Sequence, residues 1–380
     1  MDFEFSEEEN LFQTMVHDFV AQEITPAAAQ WEEQESFPQD VWKKLAELGI
    51  CGVALPSEYG GGGGGKVLFC IATEEISRGS AGLATAYLVS CGVAMESITK
   101  HGTEEQKKTY ISRCANGEIA YFAVTEAAGG SDVARMQTKY TQEGEYYLLN
   151  GSKLFITSGE ESSFGVVYAT RDTSLGYRGI SCFVVEKDNP GLSVGKKEKK
   201  TGQHCGSTTE LIFDNCKIPV ANRVGEEGKG FKMALEAIDA SRISIGAQAL
   251  GIAEAACDAA VAYAKERNAF GKSLAQMQAI QWMIADMATE IEVARLLVYK
   301  AAWLMDQGRS FIKEATTAKL FATEASRRVC QKAVQIFGGY GYSRDFAVER
   351  YARDQRVTEI YEGTSEMQRW AIARQILGVK

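Results

Sequence analysis

The chain has 380 residues, a net charge of -9, 45% hydrophobic and 24% charged residues. That length exceeds one ordinary core and predicts two or three domains of ordinary soluble composition. The acidic balance argues against broad nucleic-acid binding.

Residues 1–118 read as a helical domain. The N-terminus is acidic and lacks the basic and apolar regions of a signal peptide. Ser6 and Glu9 offer a capping box ahead of Leu11, Met15, Phe19 and Val20, which recur at helical spacing. Phe37–Trp42 opens another helix that ends near Gly49. The six glycines Gly60–Gly65 predict a flexible loop. Thr103 and Gln106 cap a further helix. Residues 119–228 read as a β domain, a barrel or sandwich. Tyr146–Leu149, Asn150-Gly151 and Lys153–Thr157 form a hairpin signal. Phe164–Ala169, Ile180–Val185 and Glu210–Phe213 read as further strands. Residues 229–380 read as a helical bundle, with Ile291, Ala294, Val298, Ala301 and Met305 on one face. The expected fold class is α+β and multidomain: helices, a β domain, then a four-helix bundle.

Nine scattered cysteines without a C-x-x-C pair point to reduced thiols and a cytoplasmic protein. No zinc motif, P-loop or serine-nucleophile elbow is present, so no metal site is expected. No apolar run suggests a membrane span. The sharpest local feature is Ile360–Thr364, where Glu362 precedes Gly363. A carboxylate followed by glycine can bring an acid/base group and a bare backbone N–H to one substrate atom.

Three segments carry a resemblance over essentially the whole chain. They are Ala123–Asp132, with Thr125, Glu126 and Ser131; Arg267–Leu274, followed by Gln278; and Gln335, Gly338, Gly339 and Tyr340, followed by Asp345, Arg350 and Asp354. In this order they resemble the signatures of the acyl-CoA dehydrogenase family. Ala127 and Arg135 depart from the first signature, where relatives carry proline and a small residue.

The resemblance implies FAD as cofactor. It places Phe122, Val124, Thr125, Phe155 and Thr157 against the flavin. It assigns Arg267, Phe270, Gln278, Gln335, Gly338 and Gly339 to the FAD of a neighbouring subunit, with Thr364 and Glu366 completing the cofactor contacts. It therefore implies a homo-oligomer, commonly a tetramer. Ser131, Asp239, Arg242 and Gly363 are implied to meet the acyl-CoA, and Cys91 lies on the helix that lines the acyl pocket. Glu362 is implied to be the catalytic base, removing the substrate α-proton as the β-hydride leaves for the flavin. Some relatives place that glutamate where this chain has Ser241. An electron-transfer flavoprotein is the implied acceptor. The substrate expected is a short-chain, branched or alicyclic thioester. A cyclohexanecarboxyl-CoA dehydrogenase and a non-catalytic flavin-binding paralogue with a scaffolding role are the alternatives.

Overall fold

The computed structural model describes residues 4–379. The reading of the first three residues therefore lies outside the described residues. The chain begins with helices α1 (Glu7–Phe19), α2 (Ala28–Gln34), α3 (Gln39–Glu47), α4 (Gly65–Gly79), α5 (Ala81–Tyr87), α6 (Met95–His101), α7 (Glu104–Gln106) and α8 (Ser112–Ala115). Both expected capping boxes form, at Ser6–Glu9 and at Thr103–Gln106. A π-helical stretch, Leu88–Ala94, joins α5 to α6.

The glycine run is not a flexible loop. The N–H groups of Gly61, Gly62, Gly63 and Gly64 bond to the carbonyls of Pro56, Gly52, Leu55 and Val53. A Cβ at Gly61 would stand 2.1 Å from the Leu55 carbonyl oxygen, so lack of a side chain permits tight backbone packing here. Gly65 already belongs to α4. Asp306 caps that helix from the C-terminal bundle, accepting from the Lys66 and Val67 N–H groups at 2.6 and 2.9 Å.

Strands follow: β1 (Ala120–Ala123), β2 (Lys139–Glu143), β3 (Tyr146–Thr157), β4 (Phe164–Thr170), β5 (Ile180–Glu186), β6 (Leu192–Lys197), β7 (Thr208–Pro219) and β8 (Arg223–Val224). They build one sheet in the order β6-β7-β3-β2-β4-β5-β8, with β1 parallel to β4. The hairpin expected at Asn150-Gly151 does not exist. β3 runs straight through it, paired with β7, and only slips register there. Gly151 has φ +144°, and a Cβ on it would meet the Thr138 Cα at 2.7 Å, so the pair marks a bulge. The true hairpin joins β2 to β3 through Gly144, at φ +58°. Tyr140, Tyr147 and Phe183 pack edge to face inside the sheet domain, with ring centroids 4.9–5.5 Å apart.

The bundle consists of α9 (Gly230–Glu266), α10 (Gln278–Asp306), α11 (Ile312–Phe337), α12 (Ala347–Asp354) and α13 (Ser365–Leu377). Two short strands, β9 (Asn268–Ala269) and β10 (Lys272–Ser273), interrupt it after α9. The fourth bundle helix is the short α13, which packs on α11. Ala294, Val298 and Ala301 are buried on the expected face of α10. Two stretches, Ala81–His101 and Gly230–Glu266, are long and apolar enough to cross a membrane. Both are largely buried inside this fold, which is what a core helix requires.

The helix α4 packs on α9 with almost no gap. A Cβ at Gly251 would lie 2.1 Å from the Glu74 carbonyl oxygen. Gly251→Ala must push the two helices apart, and overpacking of this kind costs about 1–3 kcal/mol. Urea denaturation checks this; an unchanged midpoint would contradict the close packing.

Candidate active site

Glu362 lies in the loop between the 3₁₀ turn Gln355–Glu359 and α13. Its φ is +52°, a left-handed conformation uncommon outside glycine and costly to hold. The loop is clamped around it. Lys319, on α11, donates through Nζ to the Gly363 carbonyl at 2.6 Å. Gln368 Nε2 donates to the same carbonyl at 2.8 Å and to the Glu362 carbonyl at 3.2 Å. Thr364 caps α13, accepting from the Met367 N–H. Gly363 has φ +92°, and a Cβ there would strike Gln368 Nε2 at 2.8 Å, so glycine is required. Glu366 is exposed in the first turn of α13, where backbone and Thr364 hydrogen bonds hold its carboxyl below the usual range.

The Glu362 carboxylate is half-buried and accepts from Ser241 Oγ, on α9, at 2.9 Å. Ser241 thus holds the Glu362 carboxylate from α9. Burial pushes the Glu362 pKa up, opposed by the Ser241 hydrogen bond and the charges of Lys319 and Arg242. A raised pKa suits a carboxylate that must accept a proton from carbon. Arg242 donates to Asp239 Oδ1 at 2.6 Å and to Thr316 Oγ1 at 3.3 Å, while its buried Nε has no partner among the described residues. Asp239 is pushed up by burial despite Arg242.

Tyr361 extends the site into the three regions of the chain. Its hydroxyl donates to Gln248 of α9. Gln248 donates to Thr85 Oγ1 at 2.7 Å, and Thr85 donates to Gln203 Oε1 at 2.6 Å. Gln203 is tied in turn to Asp354, through its N–H at 2.6 Å and its side chain at 2.9 Å.

The sheet carries a second group of residues. Phe155 sits in a β3 bulge at φ +58° and is 62% exposed, although it is a large aromatic on a strand. Leu154 bonds through its N–H to the Thr125 carbonyl at 2.9 Å, which pins β3 to the first signature. Thr125 itself lies between two anchored residues. Lys153 donates to the Val124 carbonyl at 3.2 Å and to Glu126 at 2.6 Å, and Glu126 also accepts from the Gln137 and Thr138 N–H groups. Phe122 packs on Tyr168, and Thr157 pairs with Thr208 at the end of β3. Ser131 is exposed in the loop beyond the signature strand.

A third group collects on the bundle. Arg267 ends α9 with its guanidinium 5.7 Å from the Tyr340 ring, next to Gly338 and Gly339. Phe270, between β9 and β10, is 96% exposed, and Gln278 and Gln335 are exposed at the ends of α10 and α11. Gly338 has φ +61°, and a Cβ on it or on Gly339 would stand in open space. An arginine fork beside bare backbone N–H groups suits a diphosphate, and the exposed Phe155 and Phe270 suit flat ring faces. The residues present therefore fit FAD.

Cys91 lies in the π-helical stretch between α5 and α6. It is buried in the N-terminal core, and burial followed by contacts with Cys114 and Cys51 pushes its thiol well up. This is a packing position. All nine cysteines are buried and unpaired.

Sequence reasoning missed Lys319, Gln368, the Lys153–Glu126 pair and the Gln248 network. A signal for Lys319 existed. It recurs at helical spacing with Ala315, Ala318 and Ala322, so it stands on the apolar face of α11.

Comparison with known proteins agrees with this fold. The N-terminal, middle and C-terminal domains of acyl-CoA dehydrogenase match residues 6–118, 121–216 and 228–377. The chain belongs to the acyl-CoA dehydrogenase family, whose members are FAD-dependent oxidoreductases. It is 45% identical to the short-chain specific acyl-CoA dehydrogenase of Clostridium acetobutylicum, over 99% of this chain and 100% of the relative. Its fold matches the butyryl-CoA dehydrogenase of Megasphaera elsdenii with a TM-score of 0.97 and 40% identity, over 99% and 100% of the two chains. It also matches an acyl-CoA dehydrogenase of Bacillus anthracis solved with FAD, with a TM-score of 0.94 and 32% identity, over 99% of this chain and 67% of the other.

Proposed function

We propose that the chain dehydrogenates a short-chain acyl-CoA at its α,β-bond, with Glu362 as the base. The observation that carries this reading is the half-buried Glu362 carboxylate, held by Ser241 on a loop clamped by Lys319 and Gln368. Glu362 takes the α-proton onto its carboxylate. The Glu362 N–H, made approachable by Gly363, donates to the thioester carbonyl as enolate-like charge develops. A preorganised donor of this kind contributes ~3 kcal/mol. FAD, when bound, supplies the hydride acceptor for the β-hydrogen. Thr125, Phe155 and Thr157 hold its ring system, with Phe122 and Val124 supporting them. Arg267, Phe270, Gln278, Gln335, Gly338 and Gly339 hold the FAD of a second copy, so the working form is an oligomer. Arg242, Asp239 and Ser131 face the CoA moiety. The acceptor we propose is an electron-transfer flavoprotein, as the family resemblance implies.

The short-chain reading rests on the polar network beside the base. Tyr361, Gln248, Thr85 and Gln203 already satisfy one another. A long acyl chain driven among them would break these bonds and leave buried polar groups unpaired. The short-chain and butyryl-CoA relatives support the same choice. A panel of butyryl, isobutyryl, 2-methylbutyryl, glutaryl, octanoyl and cyclohexanecarboxyl thioesters tests it. Butyryl-CoA is expected to exceed octanoyl-CoA in kcat/KM by at least ~10-fold, the scale on which a pocket rejects extra methylenes. Gln248→Leu should narrow that ratio. Equal rates with both thioesters would overturn the short-chain assignment.

A further inference from the structure

We propose that Lys319 is a positioning residue for the base: seated on the Gly363 carbonyl, its ammonium holds the Glu362–Gly363 turn and supplies the charge against which Glu362 ionises. This rests on Glu362 being the base.

Lys319 is fully buried on α11, on a face otherwise built of alanine and threonine. An ammonium there is costly, and the bond it makes is to a neutral carbonyl rather than to a carboxylate. Methionine would fill the same space without that cost. The buried charge therefore needs a reason other than stability. The carbonyl it holds belongs to the residue that follows Glu362, on a turn whose left-handed φ must be maintained.

The charges around the pair single out Lys319. Those facing Lys319 are Glu362, Arg242 of α9, Glu359 of the preceding 3₁₀ turn and Glu366 of α13. Glu359 is taken by Arg327 at 2.8 Å. Around Glu362 stand Ser241 and Arg242 from α9 and Lys319 from α11. Arg242 is committed to Asp239 at 2.6 Å. Of the two cations acting on Glu362, Lys319 is the one with no salt bridge to another carboxylate among the described residues. Burial, against the pull of Glu362, holds its ammonium down to about 8, so it is still charged at neutral pH.

The test is the pH dependence of kcat/KM for butyryl-CoA in the FAD-loaded enzyme and its Lys319→Gln and Lys319→Arg variants. Glutamine keeps a donor for Gly363 but removes the charge. Its acidic limb is expected to move up by about one pH unit, because the carboxylate has lost one of the two positive charges that favour its ionised form. Arginine keeps the charge and should leave that limb in place. A glutamine variant with a full flavin spectrum and an unmoved acidic limb would overturn the proposal. Lys319→Met offers a second readout if the glutamine variant does not fold: methionine fills the same space without the charge, so its acidic limb should also move up. An unmoved acidic limb in a methionine variant with a full flavin spectrum would overturn the proposal. Glu362→Gln serves as the control. Activity in that variant removes the base assignment itself, whereas its inactivity together with an unmoved Lys319→Gln profile removes only the role of Lys319.

Discussion

Glu362→Gln is expected to give a folded, yellow protein that no longer dehydrogenates its thioester at a useful rate. Glutamine is nearly isosteric, and its amide can still meet Ser241 Oγ, which lies 2.9 Å from the carboxylate. The clamps on the loop act on backbone carbonyls and do not involve this side chain. What is lost is the capacity to accept a proton from carbon. A positioned base contributes ~10²–10⁴-fold, and turnover should fall by that order while flavin content stays constant. In the unmodified enzyme the rate should rise with pH through the Glu362 pKa, which burial holds above the usual carboxylate value. The glutamine variant should lose that limb. Steady-state assays beside flavin absorbance check both statements, and near-normal turnover in the variant would remove Glu362 from the chemistry.

Lys153→Met is expected to have the largest effect on stability. Lys153 is fully buried and Glu126 nearly so, joined at 2.6 Å. Removing one member of such a pair leaves an uncompensated buried charge and costs about 3–5 kcal/mol. Glu126 shows how strongly it depends on its partner. Burial pushes its pKa up, yet Lys153 and the Thr138 and Gln137 hydrogen bonds bring it below the ordinary value. A carboxyl depressed in the folded state stabilises above its unfolded pKa, and this contribution is lost as pH falls through the folded value. Acid should therefore destabilise the unmodified protein through Glu126. The variant should also bind FAD less tightly, because Lys153 and Glu126 anchor both neighbours of Thr125. Thermal melting with flavin release checks this. The double variant Lys153→Met, Glu126→Gln should regain much of the loss, since no charge is left unpaired and the amide oxygen can still accept from the Gln137 and Thr138 N–H groups. An unchanged melting point in the single variant would show that the pair is dispensable.

Much of the architecture was legible because it rests on local chemistry. The capping residues Ser6 and Thr103 act within one turn, and the face of α10 follows from helical period alone. Glu362 was singled out by the family resemblance, since Glu-Gly by itself is only a loop signal. Asn150-Gly151 misled because a turn dipeptide can equally fill a bulge when both flanking segments pair with one partner, here β7. Gly60–Gly65 misled because glycine serves close packing as readily as mobility, and only the path of Val53–Pro56 reveals which. The supports of the site were illegible for one reason. Lys319 lies 44 residues from Gly363 and Gln248 lies 113 from Tyr361, and contacts at that separation are set by how helices pack.

The most direct test of the central claim is anaerobic addition of butyryl-CoA to the FAD-loaded protein, in unmodified form and as Glu362→Gln, with flavin absorbance followed over time. Prompt bleaching of the unmodified protein, with the variant staying yellow, is the predicted result. A flavin that no short-chain thioester bleaches, or equal bleaching of both proteins, would contradict it.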